Sequence, residues 1–213
     1  MSEGTPILTV QALNRLSYYQ NYLQKRKNEG VELMTATTVA EDLGINEVVV
    51  RKDISAVRRT KGRPNTGFSV AEMLERIEDC LGFHASEDAI IVGVGNLGKS
   101  LISGLGLERF GIRILAGFDA DPAVTDKEYD GVTLLPMRKL KSLCQRLNID
   151  VGIIAVPEES AQGVCNLLVA SGIHYILNYA QVFLTVPETV YVQNENPAAS
   201  LIAFSQHVRS KTK

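Results

Sequence analysis

The chain has 213 residues, 45% of them hydrophobic, a formal net charge of −2, and three widely spaced cysteines (Cys80, Cys144 and Cys165) that suggest neither a disulfide framework nor a zinc site. Its apolar stretches fall far short of the ~20 residues needed to cross a bilayer, and the N-terminus lacks the apolar core of a signal peptide. We therefore expect a soluble, cytoplasmic protein with one domain at residues 1–83 and a second at residues 84–196, followed by a C-terminal segment at 197–213.

The first 60 residues carry the pattern of three helices. Apolar residues recur at helical spacing over 10–27, which predicts an amphipathic first helix, and a short second helix is predicted at 37–43. Gly44 suits the turn that follows, and Asn46 is a plausible N-cap for a third helix over 47–58. The spacing of these signals predicts a helix-turn-helix.

The third helix and the segment after it are candidates for DNA contact. Six Lys and Arg against one acid lie between Arg51 and Arg63, although eleven cations and eleven acids balance across residues 1–83. In this arrangement the third helix of the chain is the recognition helix, which would lie in the major groove of DNA. The segment "RRTKGRPNTGF" suits a β-hairpin wing, so a winged helix is predicted. The alternative is a helical interaction domain with a solvated basic loop. The residues predicted to contact DNA are Glu47, Val48, Arg51, Lys52, Ser55, Arg58, Arg59, Lys61 and Arg63.

A glycine motif opens the second domain, after a connecting helix that Ser69 caps and Gly82 ends. Gly93, Gly95 and Gly98 fit G-x-G-x-x-G between an apolar strand at 89–92 and a helical pattern. These glycines permit a tight turn, close approach of a pyrophosphate and close packing of helix on strand.

An acidic residue stands at the distance that a dinucleotide site requires. Asp119 ends the strand "IRILAGF", 21 residues after Gly98. Its carboxylate would accept hydrogen bonds from the adenosine ribose hydroxyls and repel a 2′-phosphate, which favours NAD over NADP. The alternative is a glycine-rich turn in a generic α/β domain.

Strands and helices alternate through the rest of the second domain. The strands "VTLL", "VGIIAV" and "YILN" are separated by predicted helices at about 137–147 and 160–171. This alternation is typical of a doubly wound parallel sheet, an α/β Rossmann-like fold that binds ligands at the carboxyl ends of its strands. For the residues after the later strands, loop and core roles are equally open. The predicted NAD(H)-binding residues are Gly93, Gly95, Asn96, Leu97, Gly98, Asp119, Asp121, Val156, Pro157, Asn178 and Tyr179.

An enzyme is the competing class of function. None of the three histidines, His84, His174 and His207, follows a strand end where hydride chemistry would occur, and only 35 residues follow Asn178, too few for a substrate domain. We therefore predict a non-catalytic protein that binds both a cofactor and DNA. The alternative left open is a small NAD- or CoA-binding α/β enzyme subunit whose chemistry lies on a partner chain.

The motifs, taken in order, resemble the Rex family of redox-sensing transcriptional repressors. The resemblance spans nearly the whole chain through "RLSYYQNYL", "VRKDIS", "VGVGNLGKSL", "GFDADP", "IIAVPEESAQ", "GIHYILNYA" and "VPETVYVQN". It implies a homodimer in which winged-helix domains bind a palindromic operator, Rossmann domains sense NADH against NAD, and a C-terminal helix is exchanged between subunits. The tail fits such a helix through the apolar stripe of Leu201, Ile202, Phe204 and Val208.

The chain departs from the family pattern at two positions. Family members usually carry a Tyr where this chain has Gly104 and an Asp where it has Asn196. The resemblance implies that these groups, with an N-terminal Arg that resembles Arg15, couple the cofactor to the DNA-binding domains. The wing also lacks the usual aromatic and glycine pattern. These differences predict that Arg15 lacks its charged partner and that the redox response is weakened.

Overall fold

The computed structural model describes residues 8–58, 67–84, 86–104 and 107–211, and the chain divides into two compact units, Met1–Ala85 and Ser86–Lys213. Within the described residues, no helix has both the length and the apolar character that a membrane span requires.

The first unit contains helices and a small antiparallel sheet, and the predicted helices are confirmed with small shifts of their ends. Gly44 adopts a left-handed conformation (φ 64°) after the second helix, and the Asn46 side chain accepts a hydrogen bond from the Val48 amide at the start of the third. The sequence did not predict the strand Leu33–Met34, which pairs with the strand Phe68–Ser69. The elements are α1 (Val10–Asn28), β1 (Leu33–Met34), α2 (Ala36–Leu43), α3 (Glu47–Val57), β2 (Phe68–Ser69) and α4 (Val70–Leu81).

One apolar cluster holds the helices of the first unit together. Leu16 and Leu23 of α1 pack with Val50 of α3 and Ile77 of α4, and each of these side chains is at most 1% exposed. The buried stripes recur every three or four residues, because only one face of each helix turns inward. The opposite face of α3 is therefore presented to solvent. Most of the predicted wing hairpin, residues 59–66 of 58–68, lies outside the described residues.

The second unit is built on a seven-stranded sheet that is parallel except for the first strand in this order: β5 (Lys127–Tyr129), β6 (Val132–Pro136), β4 (Ile112–Asp119), β3 (Glu87–Val92), β7 (Val151–Ile154), β8 (Tyr175–Asn178) and β9 (Tyr191–Asn194). The predicted doubly wound α/β fold is confirmed. Its helices are α5 (Asn96–Ser103), α6 (Leu140–Leu147), α7 (Glu158–Val169) and α8 (Pro197–Lys211), with 3-10 turns at Leu107–Phe110 and Met137–Lys139.

The order of the strands creates a crevice at β3. The chain runs outward from β3 through β4 and β6 on one side and then returns to build β7, β8 and β9 on the other. Ile90 faces the cluster that includes Leu140 of α6, and Ile91 faces the cluster that includes Leu101 of α5, so both faces of β3 are covered. In such sheets, a ligand binds at the carboxyl ends of the strands on either side of the reversal.

Candidate nucleotide and DNA sites

The glycine motif forms a tight loop that directly follows β3. Gly93 has φ +94°, and a Cβ placed on it would lie 2.4 Å from the Ala155 carbonyl oxygen after β7. A Cβ on Gly98 would lie 2.0 Å from the Gly93 carbonyl oxygen, which explains how α5 approaches the strand so closely. A Cβ on Gly95, in contrast, would meet no described atom within 4 Å. The loop therefore has two positions closed to a side chain and one that faces open space.

The start of α5 is arranged to receive an anion. Gly95 is the N-cap, and no described side chain caps this end of the helix. Asn96 and Leu97, in the first turn, are exposed, and Leu97 is 43% exposed despite its apolar side chain. Uncapped amides at a helix N-terminus carry partial positive charge, so this end of α5 favours a phosphate.

Asp119 ties the glycine loop to the end of β4. Its Oδ2 accepts a hydrogen bond from the Val94 amide at 2.7 Å, and its Oδ1 accepts one from the Asp121 amide at 2.9 Å. Each carboxylate oxygen has a second lone pair, so Asp119 retains the capacity to accept from a ligand hydroxyl. Asp121 is exposed beside it, and its own carboxylate accepts from the Ala123 amide.

The segment after β7 lies against the same loop. The Ala155 amide donates to the Val92 carbonyl oxygen at 2.8 Å, and a Cβ on Gly93 would lie 2.8 Å from Cγ1 of Val156. Pro157 is exposed at the start of α7. Val156 and Pro157 thus border the crevice on the β7 side, opposite Asp119.

Asn178 was predicted to contact the cofactor, and in this structure its side chain lies inside the fold. The residue is fully buried, and its amide nitrogen donates to the carbonyl oxygens of Ala180 and Val182 and to Oδ1 of Asn194. Its own oxygen accepts from the Ala180 amide. These bonds use both N–H donors, so the side chain holds β9 and the loop after β8 in place. The neighbouring Tyr179 is half-buried, and burial together with Glu195 raises its pKa.

The exposed face of α3 carries five of the nine residues predicted to contact DNA. Val48 is 72% exposed, and the side chains of Arg51 and Glu47 are 58% and 39% exposed. Lys52 and Ser55 are exposed on the same side of the helix. The structure therefore brings these five side chains together on one surface.

The basic residues after α3 are only partly described. Arg58 is half-buried, donates to the Gly67 carbonyl oxygen at 2.7 Å and lies over the Phe68 ring. Its guanidinium therefore also anchors the segment that leads into β2. Arg59, Lys61 and Arg63 lie outside the described residues.

A buried carboxylate on the inner face of α3 was not singled out by the sequence analysis. Asp53 is 5% exposed, and its two oxygens accept from Nε and Nη2 of Arg15 at 2.7 and 2.8 Å. The Tyr19 hydroxyl also donates to Asp53, and burial together with this bond raises the pKa of Tyr19 to about 12. Two residues of α1 thus hold α3 through one carboxylate.

The charged partner of Arg15 in this structure is Asp53, not the carboxylate at position 196 that the resemblance implies. The Arg15 guanidinium forms a two-point ion pair with Asp53 inside the first unit. Asn196, where the family usually has Asp, instead accepts a hydrogen bond from the Ala198 amide through Oδ1 at 3.0 Å and so caps α8. Gly104 ends α5. No group of three or more His, Cys, Asp or Glu side chains suited to a metal ion occurs in the described ranges.

Two family models match different parts of the chain. A model described as the N-terminus of a putative DNA-binding protein matches residues 9–55, which include α1, α2 and most of α3. A model described as a CoA binding domain matches residues 84–182, which include the glycine loop and Asp119.

Curated relatives match nearly the whole chain. The redox-sensing transcriptional repressor Rex of Porphyromonas gingivalis is 35% identical over 198 residues, which is 93% of this chain and 90% of the relative. Rex of Carboxydothermus hydrogenoformans is 32% identical over 197 residues, with 92% and 94% of the two chains covered.

Solved structures of a Rex-family repressor called RSP have the same fold. RSP in complex with β-NAD+ and operator DNA matches with a TM-score of 0.85 and 25% identity, covering 97% of this chain and 94% of that one. RSP in complex with β-NADH matches with a TM-score of 0.81. These relatives are regulators rather than enzymes, so they give no support to the enzyme-subunit alternative. By identity and coverage, the chain belongs to the Rex family of redox-sensing transcriptional repressors.

Proposed function

We propose that this protein is a cytoplasmic transcriptional repressor that binds an operator through α3 and binds NAD(H) at the glycine loop. The observation that carries the proposal is that one chain has both features. The outer face of α3 exposes basic side chains, and the N-terminus of α5, which follows the tight glycine loop, has no side-chain cap. The relative RSP, which shares the fold over almost the whole chain, binds both β-NAD+ and operator DNA.

In the proposed nucleotide complex, the pyrophosphate lies against the backbone of Gly95 and the first turn of α5. Asp119 accepts from the ribose hydroxyls, and its charge disfavours the 2′-phosphate of NADP. Val156 and Pro157 border the nicotinamide half from the β7 side, and Tyr179 lies beyond them after β8. The position of each residue around the crevice supports its proposed role.

In the proposed DNA complex, α3 enters the major groove. Arg51 and Glu47 face the base edges, while Lys52 and the basic segment after α3 bind phosphates. Phosphate contacts by Lys and Arg release counterions, so operator affinity should fall steeply with salt.

The proposed active form is a homodimer that exchanges α8. Leu201 is 69% exposed, Ile202 55% and Phe204 67%, so this chain leaves a large apolar part of α8 uncovered. A helix with such a surface is stabilised when a partner covers it, and a second copy offers the matched partner that a palindromic operator requires.

A chain that ends at Asn196 is expected to be monomeric and to bind a palindromic duplex at least tenfold more weakly. Sedimentation velocity and fluorescence anisotropy measure the two effects. The variant Ser205→Ala, which changes a polar residue of α8, serves as a control. A truncated chain that stays dimeric would exclude exchange of α8 as the basis of the dimer.

The redox response is proposed to be weak in this member of the family. Gly104 and Asn196 stand where a hydroxyl and a carboxylate usually occur, and the Arg15 guanidinium is held by Asp53 within its own unit. A ligand shifts a two-state equilibrium only by its differential affinity for the two states. Because Gly104 and Asn196 replace groups that would form charge-assisted hydrogen bonds, the difference in NADH affinity between the two states should be small.

Titration of operator complexes with NADH and with NAD tests the whole proposal. The operator is first obtained by selection from a randomised duplex library. We expect both nucleotides to bind and NADH to weaken operator affinity less than tenfold relative to NAD, which corresponds to less than about 1.4 kcal/mol. Abolition of binding by micromolar NADH, with excess NAD inert, would show that other residues carry the coupling.

Coenzyme A is a second candidate ligand, because the family model that matches residues 84–182 is described as a CoA binding domain. The same uncapped helix N-terminus would accept the pyrophosphate of CoA. The carboxylate of Asp119 disfavours it, because CoA carries a 3′-phosphate on its ribose. Calorimetry with CoA beside NADH decides between the two ligands.

A further inference from the structure

The exposed face of α3 contains an ion pair that is fixed to the neighbouring helix. Glu47 Oε1 accepts from Nε and Nη2 of Arg51 at 2.9 and 2.7 Å, one helical turn away. The same oxygen accepts from the Thr37 hydroxyl of α2 at 2.6 Å. The hydroxyl therefore fixes the carboxylate, and the carboxylate fixes the guanidinium.

The charge of Glu47 is unfavourable on a surface that meets phosphates. Hydrogen bonds from Thr37 and Arg51 lower the pKa of Glu47, so the side chain is an anion at neutral pH. An anion here cancels the charge of Arg51 and repels the DNA backbone, which weakens sequence-independent binding. A role in base recognition would offset this cost.

The geometry leaves suitable groups of both side chains available to bases. Glu47 engages the Nε side of the guanidinium, so Nη1 and the second N–H of Nη2 form a fork at the outer end of Arg51. Such a fork fits O6 and N7 of guanine, and a carboxylate oxygen accepts from N4 of cytosine. Thr37 and Arg51 both donate to Oε1 of Glu47, and Oε2 belongs to the same half-exposed carboxylate.

We propose that Thr37, Glu47 and Arg51 act as one base-recognition unit, in which Glu47 determines specificity at the expense of affinity. Arg51 binds a guanine, and Glu47 both orients Arg51 and accepts from the N4 amino group of a cytosine in a neighbouring base pair. Thr37 is a positioning residue that keeps the carboxylate in one orientation. This inference rests on the proposed role of α3 in the major groove.

Selection from a randomised duplex library, carried out on the full-length wild type and on Glu47→Gln, tests the unit. We expect the variant to bind random duplex severalfold more tightly and to prefer the selected operator at least tenfold less. Its selected sequences should lose one cytosine and show a relaxed preference at the neighbouring guanine. Thr37→Val, which removes only the hydroxyl, should shift both quantities in the same direction by a smaller factor.

The exposed Glu41 of α2 provides the matched control, because Glu41→Gln removes the same charge without touching α3. We expect this variant to select the wild-type operator. If Glu47→Gln also selects the wild-type operator with unchanged discrimination, the recognition role of Glu47 is wrong, although α3 still binds DNA. If the wild type itself enriches no sequence, both this inference and the proposed function are wrong.

Discussion

Replacement of Asp53 by Ala is expected to destabilise the N-terminal unit by about 3 kcal/mol and to abolish operator binding. The change leaves the Tyr19 hydroxyl, on a residue that is 1% exposed, without its acceptor, and leaves the Arg15 guanidinium without its counter-charge. Breaking a buried pair costs 3–5 kcal/mol when one partner remains, and the lower end applies because the Arg15 side chain is 30% exposed. Since Asp53 connects α3 to α1, its loss frees the DNA-facing helix.

Urea unfolding followed by far-ultraviolet circular dichroism measures the first effect, and hydrogen exchange of α3 peptides locates it. Asp53→Asn keeps an acceptor for Tyr19 but removes the charge, so it should lie between the wild type and Asp53→Ala. Glu75→Ala, on the exposed face of α4, controls for loss of an acid. If Asp53→Ala unfolds at the wild-type urea concentration and binds the operator normally, the ion pair does not hold α3.

The sequence predicted the outer face of α3 but not the carboxylate within it. Helical spacing separates exposed from buried positions, so Val48, Arg51 and Lys52 could be placed on the solvent side. Asp53 lies in a run of cations, and the sequence showed only that it lowers the net charge of that run. Its partners are 38 and 34 residues away in the chain, and only the packing of α1 on α3 brings them together.

The nucleotide crevice was predictable for a different reason. Gly93 and Gly98 lie where neighbouring backbone leaves no room for a side chain, and one helix and one strand set the distance to Asp119. Short-range spacing in the sequence is therefore sufficient to predict the crevice. The edge strands β5 and β9 were missed because "KEY" and "YVQN" are short and largely polar. The burial of Asn178 was not predictable, because strand position alone does not show whether a polar side chain faces the ligand edge or the interior.

The three glycines of the loop should separate folding from nucleotide binding. We expect Gly98→Ala to lower both the free energy of unfolding, by about 1–3 kcal/mol, and the affinity for NADH. A Cβ there would lie 2.0 Å from the Gly93 carbonyl oxygen, so α5 must move away from β3 and the loop must change shape. Gly95→Ala should leave stability within about 0.5 kcal/mol of the wild type, since its φ of −75° suits any residue and its Cβ would meet no described atom within 4 Å.

NADH affinity is nevertheless expected to fall at least tenfold in Gly95→Ala, because the open space beside Gly95 is where the pyrophosphate would approach the backbone. Isothermal titration calorimetry measures the affinity, and thermal unfolding without nucleotide measures the stability. Gly163→Ala in α7, where a Cβ also meets no described atom within 4 Å, provides the control away from the loop. If Gly95→Ala binds NADH as tightly as Gly163→Ala does, the pyrophosphate does not lie against Gly95. If Gly95→Ala loses affinity but not stability, while Gly98→Ala loses both, then Gly95 is the glycine that contacts the nucleotide and Gly98 is the one that shapes the loop.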